Sequence, residues 1–312
     1  MIYQQTNKGL GSEIILTIDS DQQHDTVDQL FIDLWAKINS FESRYSRFIA
    51  SSELSIFNSN CGAYNNVSQE FLDILTICKN FSQKTDGIFN PFILPALVNA
   101  GYDKSLVDNK KVNLNSNFKA DNDISVSNLL INNKQAFIPP NTAIDLGGIG
   151  KGYLADQLAL YIENTCQDYW ISLGGDIIAK RSKYKDNWHI DIQSMDGINS
   201  MNHANIILPK NIRSAVATSG TVKRQGIKNG HKWHHLIDPS TLKPAETDIL
   251  LATVYSSSAV EADIYASCLV IIGSKNFSSF VNKHKITDAL VQGKNNNGTF
   301  YLKIGDKIQL KT

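Results

Sequence analysis

Residues 143–157, AIDLGGIGKGYLADQ, combine four glycines with one lysine and two aspartates. Glycine-rich turns that lead into helices expose backbone N–H groups, and the helix dipole points the same way, so such turns bind phosphates. Lys151 lies near the start of a predicted helix that carries Leu154, Leu158 and Ile162 inward. The stretch therefore predicts a loop that holds a diphosphate. A tight turn whose glycines serve packing, with Lys151 in solvent, explains the same residues equally well.

Two known phosphate-binding motifs do not fit this stretch. A Walker A loop needs a glycine five residues before its Gly-Lys pair and a serine or threonine after the lysine. Asp145 and Gly152 occupy those two places. A dinucleotide fingerprint that starts at Gly148 has Tyr153 where its third glycine belongs, and it lacks a full βαβ setting. The loop is thus neither a Walker A loop nor a Rossmann fingerprint.

The elements that must position this loop are visible as hydrophobic periodicity. Apolar residues recur at helical spacing over residues 27–41 and 260–273, and Ser68 begins a further helix that Gly87 ends. Strand-like runs are short and bounded by turn residues. They read SEIILTID, YWISLGGDIIA, NWHIDIQ, NIILP, SAVATSG, HHLIDP and LLATVYS, and the last residues form strands joined by an Asn-Gly turn.

The strands cluster more than they alternate with helices, which indicates an α+β fold. We expect mixed, largely antiparallel sheets flanked by helices, in two closely joined lobes of one domain over residues 1–312. Residues 102–133 are polar and rich in asparagine, so they are interpreted as a surface insertion. Trp170, Trp188 and Trp233 lie in strand-like runs and are assigned to packing.

Composition excludes several classes of partner. Thirty Lys and Arg residues balance thirty Asp and Glu residues, so no overall field attracts nucleic acid or an anionic membrane. No apolar window approaches the length of a membrane span. The four cysteines have no C-x-x-C spacing, and the N-terminus does not read as a secretory leader. We therefore expect a cytoplasmic protein, although a chain whose leader had been removed would look the same.

Seven segments occur together in one order, and their combination is far more specific than any one of them. They read SRYSRFIASSELSIFN, TDGIFNPFILPAL, DLGGIGKGYLAD, ISLGGDI, AVATSG, HHLIDPSTLKP and VEADIYAS. Together they resemble the ApbE family of FAD:protein FMN transferases, and the fold expected is accordingly ApbE-like.

The resemblance implies an enzyme that carries out protein flavinylation, a post-translational modification. Such a transferase uses Mg²⁺ to move the FMN moiety of its substrate FAD onto a threonine or serine hydroxyl of an acceptor flavoprotein, releasing AMP. Positioning and charge neutralisation supply most of the catalysis in reactions of this type. The chain has no D-x-x-[ST]-G-[AS]-[ST] acceptor sequence of its own, so the acceptor should be a separate protein.

The resemblance also assigns binding residues. Asp145, Gly147, Gly148 and Lys151 would form the loop beside the dinucleotide, with the lysine compensating charge on the departing AMP. Asp156 would hold a ribose or adenine edge, or would lie on a solvated helix face. Gly174 and Gly175 are expected to break a strand and expose Asp176, and Thr218, Ser219 and Gly220 are expected to follow a buried strand. The remaining FAD contacts are assigned to these six residues and to Ser46, His235 and Asp238.

Catalytic and metal roles come from two further segments. His235 matches the histidine of the family's H-x-x-D-P pattern and would accept the proton of the incoming hydroxyl, with Asp238 orienting it. Asp263 and Ser267 are four residues apart on a predicted helix, so their hard oxygens could share one Mg²⁺. The alternative interpretations are that His235 is structural and that Asp263 and Ser267 only form hydrogen bonds to helix or loop groups.

Two other functions remain open for the sequence. An FAD pyrophosphatase would use water in place of the acceptor hydroxyl and release free FMN and AMP. A flavin-binding protein would store or deliver FAD without chemistry, and Asp263, Ser267 and His235 argue against it.

Overall fold

The computed structural model describes residues 1–112, 114, 118–121, 123–195 and 204–311. The strands are β1 (Ile2–Gly9), β2 (Ser12–Asp19), β3 (Tyr64–Asn66), β4 (Leu130–Ile131), β5 (Gln135–Phe137), β6 (Tyr169–Leu173), β7 (Asp176–Lys180), β8 (His189–Ile192), β9 (Ala204–Ile207), β10 (Ser214–Gly220), β11 (Gln225–Lys228), β12 (His231–His234), β13 (Ile237–Asp238), β14 (Lys243–Pro244), β15 (Ile249–Ser256), β16 (Asp288–Asn295), β17 (Gly298–Ile304) and β18 (Ile308–Leu310). The helices are α1 (His24–Tyr45), α2 (Glu53–Ser59), α3 (Gln69–Lys84), α4 (Leu94–Ala100), α5 (Gly150–Ile162), α6 (Ala259–Ile272) and α7 (Phe277–His284).

The chain divides into two structural units, each assembled from segments that are distant in sequence. The first unit comprises Met1–Ser40, Lys151–Val222 and Thr247–Thr312, and the second comprises Phe41–Gly150 and Lys223–Glu246. The boundary at Gly150 falls at the first residue of α5, so the glycine turn belongs to the second unit and Lys151 to the first.

The first unit is built on an eight-stranded sheet with the order β1-β2-β6-β7-β10-β15-β16-β17. A three-stranded sheet, β18-β9-β8, belongs to the same unit. Every strand pairing among the described residues is antiparallel. The α+β prediction with largely antiparallel sheets and flanking helices is therefore confirmed.

Helix α6 packs on β10 and β15 of the large sheet. It is apolar nearly all round, and all but three of its 14 residues are buried. A helix with this composition has to lie inside a protein, because no polar face is available to meet water. The two polar side chains buried near its middle, Asp263 and Ser267, are therefore exceptional for their surroundings.

The second unit contains small sheets, β3-β5-β4, β11-β12 and β13-β14, with α2, α3 and α4. Helix α3 begins as its sequence predicts, because Ser68 Oγ accepts the peptide N–H of Phe71 at 3.2 Å. Trp233 of β12 is buried beside Leu97, and its ring stacks on Tyr102 at a centroid distance of 5.6 Å.

The predicted helices at residues 27–41, 68–87 and 260–273 are confirmed as α1, α3 and α6. The packing role of the three tryptophans is confirmed as well, since Trp170 and Trp188 pack against the apolar cluster of the first unit. Hydrophobic periodicity did not predict β1, α4 or α7. Strand β1 is nearly all exposed, and α4 and α7 have only seven and eight residues, so their periodic signals are weak.

Residues 102–133 contain little regular structure where the structure describes them. They include a 3₁₀ turn, Val126–Asn128, and β4, while positions 113, 115–117 and 122 lie outside the described residues. Interpretation of this stretch as an insertion stays a prediction, as does the single domain over 1–312.

No single helix among the described residues is long and apolar enough to cross a membrane. One bent pair, Ala259–Ile272 with Ser274–His284, has the length and composition of a membrane span when both helices are taken together. The two helices are bent by 116°.

Gly152 lets the backbones of α5 and α6 come into close contact. A Cβ atom at this position would lie 2.7 Å from the Ala259 carbonyl oxygen and 2.8 Å from the Val260 Cα. Alanine favours a helix over glycine by about 1 kcal/mol. Overpacking against backbone that cannot rotate away costs about 1–3 kcal/mol. We expect Gly152→Ala to lower the free energy of unfolding by up to about 2 kcal/mol in a urea titration.

Gly148→Ala is the matched control for this substitution. Its Cβ would meet only Phe89 Cε2, at an ordinary contact distance of 3.6 Å. We expect its stability to stay close to that of the wild type. A Gly152→Ala protein as stable as the Gly148→Ala control would contradict the close packing of α5 on α6.

Candidate active site

Each unit holds its own group of the predicted site residues. The first unit contains Lys151, Asp156, Gly174, Gly175, Asp176, Thr218, Ser219, Gly220, Asp263 and Ser267. The second unit contains Ser46, Asp145, Gly147, Gly148, His235 and Asp238.

Lys151 forms an ion pair with Asp176 inside the first unit. The two side chains are 16% and 6% exposed, so the charges face little water and attract each other strongly. The second carboxylate oxygen of Asp176 accepts the peptide N–H of Thr218 at 3.2 Å. Lys151 is thus a cation fixed in place at the start of α5. The alternative interpretation, a lysine in solvent, does not fit.

Gly174 and Gly175 form the two-residue turn between β6 and β7, with φ values of 69° and 98°. Positive φ at both positions is typical of a tight hairpin turn, and glycine adopts it without strain. The predicted break of the strand at these two glycines is confirmed, but the prediction that it exposes Asp176 is wrong. Asp176 is buried as the first residue of β7, because the hairpin turns its side chain toward Lys151.

Thr218, Ser219 and Gly220 lie within β10, not after it, and they pair with Thr253, Ala252 and Leu251 of β15. Thr218 Oγ1 is 2.9 Å from Thr253 Oγ1. At Gly220, a Cβ would lie 2.5 Å from the Leu250 carbonyl oxygen, so close packing accounts for the glycine. These three residues therefore belong to the sheet.

Asp263 and Ser267 lie one turn apart on α6 and are only 5% and 8% exposed. The Ser267 and Ser219 hydroxyl oxygens are 2.8 Å apart, which fixes the Ser267 side chain against β10. A carboxylate and a hydroxyl are hard oxygen donors, so this pair fits Mg²⁺. The described residues contain no cluster of three or more His, Cys, Asp or Glu side chains suited to a metal. Such a small protein donor set suits Mg²⁺, which keeps several water or phosphate ligands.

Both carboxylate oxygens of Asp156 bond to the N-terminus of α6. Oδ1 accepts the peptide N–H of Ala259 at 2.9 Å, and Oδ2 accepts Ser258 Oγ at 2.8 Å and the Val260 N–H at 3.1 Å. Asp156 therefore has partners within the protein, and a solvated helix face does not describe it. Its assignment to a ribose or adenine edge stays a prediction.

Asp145 is buried in the second unit and held by three groups. Its Oδ1 accepts Arg47 Nη1 at 2.7 Å, its Oδ2 accepts the Gly147 N–H at 2.8 Å, and its own N–H donates to the Pro91 carbonyl at 2.8 Å. A Cβ on Gly147 would lie 2.7 Å from Asp145 Oδ2, so the loop needs glycine there. Gly148 packs loosely against Phe89.

Arg47 is a residue that the sequence analysis missed. Its side chain is 9% exposed, and its guanidinium lies 4.5 Å from the ring centroids of Phe48 and Tyr102. Nε and Nη2 are buried and have no hydrogen-bond partner among the described residues. The signal was present, because Arg47 directly follows Ser46 in the segment SRYSRF, but nothing in the sequence links it to Asp145.

His235 is half-buried, and its Nδ1 is buried without a hydrogen-bond partner among the described residues. Burial lowers the pKa of His235 well below its ordinary value of 6.5, and the nearby charges of Arg224, His234 and Arg47 lower it further. The imidazole is therefore neutral near pH 7, the state that a proton acceptor requires. His234, by contrast, bonds through Nε2 to the Ala245 carbonyl at 3.1 Å.

Asp238 and Ser46 occupy turns of the second unit. Asp238 Oδ1 accepts the N–H and the hydroxyl of Ser240 at 2.8 and 2.7 Å, which anchors the turn that follows His235. Ser46 lies just after α1, and its Oγ accepts the Phe48 N–H at 3.3 Å. Direct contacts of these two residues with FAD stay predictions.

Known proteins resemble this chain in sequence and in fold. FAD:protein FMN transferase of Buchnera aphidicola subsp. Schizaphis graminum is 27% identical over 277 residues, covering 86% of this chain and 76% of that protein. The enzyme of the same name from Buchnera aphidicola subsp. Baizongia pistaciae is 32% identical over 178 residues, covering 55% of this chain and 50% of that protein. This chain thus matches only half the length of the second relative.

The crystal structure of the ApbE protein from Thermotoga maritima superposes with a TM-score of 0.83 at 21% identity, covering 97% of both chains. At that identity the likeness shows the fold. The family model described as ApbE family matches residues 10–291. Because this match takes in most of the chain, the protein belongs to the ApbE family.

Proposed function

We propose that this protein transfers FMN from FAD to a threonine or serine hydroxyl of an acceptor flavoprotein, with Mg²⁺ as its metal ion and AMP as the second product. The observation that carries the proposal is membership of the ApbE family, whose relatives are named FAD:protein FMN transferases. The buried oxygen pair on α6 and the neutral histidine after β12 supply the chemical groups that such a transfer needs.

The reaction breaks the phosphoanhydride bond of FAD and forms a phosphoester bond to the acceptor. The acceptor hydroxyl oxygen forms a bond to the phosphorus of the FMN half of FAD. The bond from that phosphorus to the oxygen bridging the two phosphates breaks, and its electron pair leaves with AMP. The hydroxyl proton has to be removed, and negative charge builds up on the departing phosphate.

Groups of the first unit would stabilise the phosphate charge. Asp263 and Ser267 would hold Mg²⁺, which neutralises charge on phosphate oxygens when it is bound. Lys151 would lie beside the departing phosphate, and its ion pair with Asp176 holds the ammonium group in place. A cation fixed in this way requires no reorganisation as the charge develops.

Groups of the second unit would bind FAD and take up the proton. Asp145, fixed by Arg47 and by the Gly147 N–H, would accept a hydrogen bond from the nucleotide. The neutral imidazole of His235 would accept the hydroxyl proton, while the turn at Asp238 fixes the chain that carries it. With water as the acceptor, the same groups would serve an FAD pyrophosphatase.

Asp263→Ala should lower FMN transfer by about 100-fold or more, because it removes the only carboxylate proposed to hold the metal. The assay incubates the protein with FAD, Mg²⁺ and a synthetic peptide containing D-x-x-[ST]-G-[AS]-[ST]. Mass spectrometry measures the FMN added to the peptide, and chromatography measures AMP and free FMN.

Glu261→Ala is the matched control, since it also removes a carboxylate from α6. The Glu261 carboxylate accepts a hydrogen bond from Ser256 Oγ at 2.7 Å. We expect Glu261→Ala to retain transfer. Equal activity of the wild type and Asp263→Ala would contradict the metal assignment. AMP and free FMN without modified peptide would identify a pyrophosphatase, and FAD binding without AMP would identify a flavin-binding protein.

The pH dependence of transfer follows from the lowered pKa of His235. Above its pKa the imidazole is neutral and can accept a proton, so the base is lost only as the pH falls through that lowered value. We expect the single-turnover rate to stay level from pH 8 to the ordinary histidine pKa of 6.5 and to fall only at lower pH.

His235→Ala should slow transfer by about 10²–10⁴-fold, with little change in FAD affinity, and should remove this acidic limb. The control is His231→Ala, which changes an exposed histidine of the preceding strand β12 and should behave as the wild type. An equal loss of rate and FAD affinity in His235→Ala would make this residue a binding or structural group.

A further inference from the structure

Asp156 joins the helix that begins beside Lys151 to the helix that carries Asp263. It lies on α5, five residues after Lys151, and its carboxylate receives three hydrogen bonds from Ser258, Ala259 and Val260. All of these residues belong to the first unit. The contact spans more than 100 residues of sequence, since Asp156 and Ser258 are 102 positions apart.

The contact satisfies the first peptide groups of α6. The first N–H groups of a helix have no partner within the helix itself. Asp156 accepts those of Ala259 and Val260, and Ser258 Oγ accepts that of Glu261 at 3.3 Å. Ser258 Oγ in turn donates to Asp156 Oδ2. A negative carboxylate at this end also interacts favourably with the helix dipole. Asp156 is thus the charged part of the N-cap of α6, although it comes from another helix.

The same end of α6 is held sterically. Gly152, one turn before Asp156 on α5, allows the two backbones to touch at Ala259 and Val260. A hydrogen-bonded clamp and a backbone contact therefore act on the same residues. Together they restrict both the translation and the rotation of the helix start.

The metal-binding oxygens lie a short distance beyond this clamp. Asp263 follows Ala259 by four residues, which is about 6 Å along a helix, and Ser267 follows by one more turn. Because α6 is buried along nearly its whole length, a shift of its first turn moves these side chains as well. Mg²⁺ demands near-ideal octahedral geometry and tolerates displaced ligands poorly.

We infer that Asp156 is a positioning residue, which fixes α6 so that Asp263 and Ser267 meet Mg²⁺ in the required geometry, and that it does not contact the nucleotide. The inference rests on the proposed function only for the identity of the metal. It differs from the hypothesis of a ribose or adenine contact in a measurable way. Loss of a positioning residue lowers the affinity for Mg²⁺, whereas loss of a nucleotide contact lowers the affinity for FAD.

The experiment compares Asp156→Ala with Asp248→Ala. Asp248 is a matched control, because its carboxylate accepts the N–H and the hydroxyl of Ser274, just beyond the other end of α6, at 2.9 and 2.5 Å. Calorimetry measures Mg²⁺ binding in the presence of FAD, and steady-state assays give the KM for Mg²⁺, the KM for FAD and kcat. Hydrogen exchange reports the protection of the amides at residues 259–261.

We expect Asp156→Ala to lower the affinity for Mg²⁺ about 10-fold or more and to raise the KM for Mg²⁺ by the same factor. At saturating Mg²⁺, kcat and the KM for FAD should recover, and the amides at residues 259–261 should exchange faster. Asp248→Ala should keep wild-type Mg²⁺ affinity. If Asp156→Ala does not fold, Asp156→Asn and Ser258→Ala, which remove only part of the bonding, should shift Mg²⁺ affinity in the same direction.

Three results would overturn the inference. These are unchanged Mg²⁺ affinity in the folded Asp156 and Ser258 variants, an equal loss in Asp248→Ala, and a raised KM for FAD at saturating Mg²⁺. A wild-type protein that binds Mg²⁺ but transfers no FMN would overturn the proposed function alone, since the calorimetric comparison remains decisive for Asp156.

Discussion

A buried carboxylate is stable only where hydrogen-bond donors or a cation replace the water it has lost. Three aspartates meet this requirement in three ways; Asp145 and Asp176 are buried and Asp156 is half-buried. Arg47 and a backbone N–H hold Asp145, Lys151 and a backbone N–H hold Asp176, and the start of α6 holds Asp156. Each solution fixes the position of another element, so the need to satisfy buried charge also builds the framework around the site.

Helix α6 shows how strongly this framework depends on few contacts. Its apolar surface would allow several ways of packing on β10 and β15, because apolar contacts are not directional. Hydrogen bonds from its first turn to Asp156, and the lack of a side chain on Gly152, select one of them. The way α6 packs in turn sets the positions of Asp263 and Ser267. Under the proposed function, residues far from the chemistry would therefore control the metal site through the placement of a helix.

The fold was largely predictable because its main helices and strands have strong local signals. Helices α1, α3 and α6 follow from apolar spacing, and Ser68 marks a helix start by its capping side chain. Elements such as β1 and α4 were not predicted, because an exposed strand and a helix of only seven residues give no clear period. Asp176 was wrongly predicted to be exposed, because two glycines within a strand pattern fit an open strand end as well as a tight hairpin turn.

The sequence by itself determined the family, the order of its motifs and the residue types that can bind a phosphate, a metal ion or a proton. Tertiary structure alone decided the partners of those residues: Lys151 with Asp176, Arg47 with Asp145, and Asp156 with the start of α6. Spacing along the chain fixes neighbours only within one helix or strand. Arg47 and Asp145 are 98 positions apart, and Asp156 and Ser258 are 102 apart. Contacts over such distances arise when the packing of whole elements brings their side chains together.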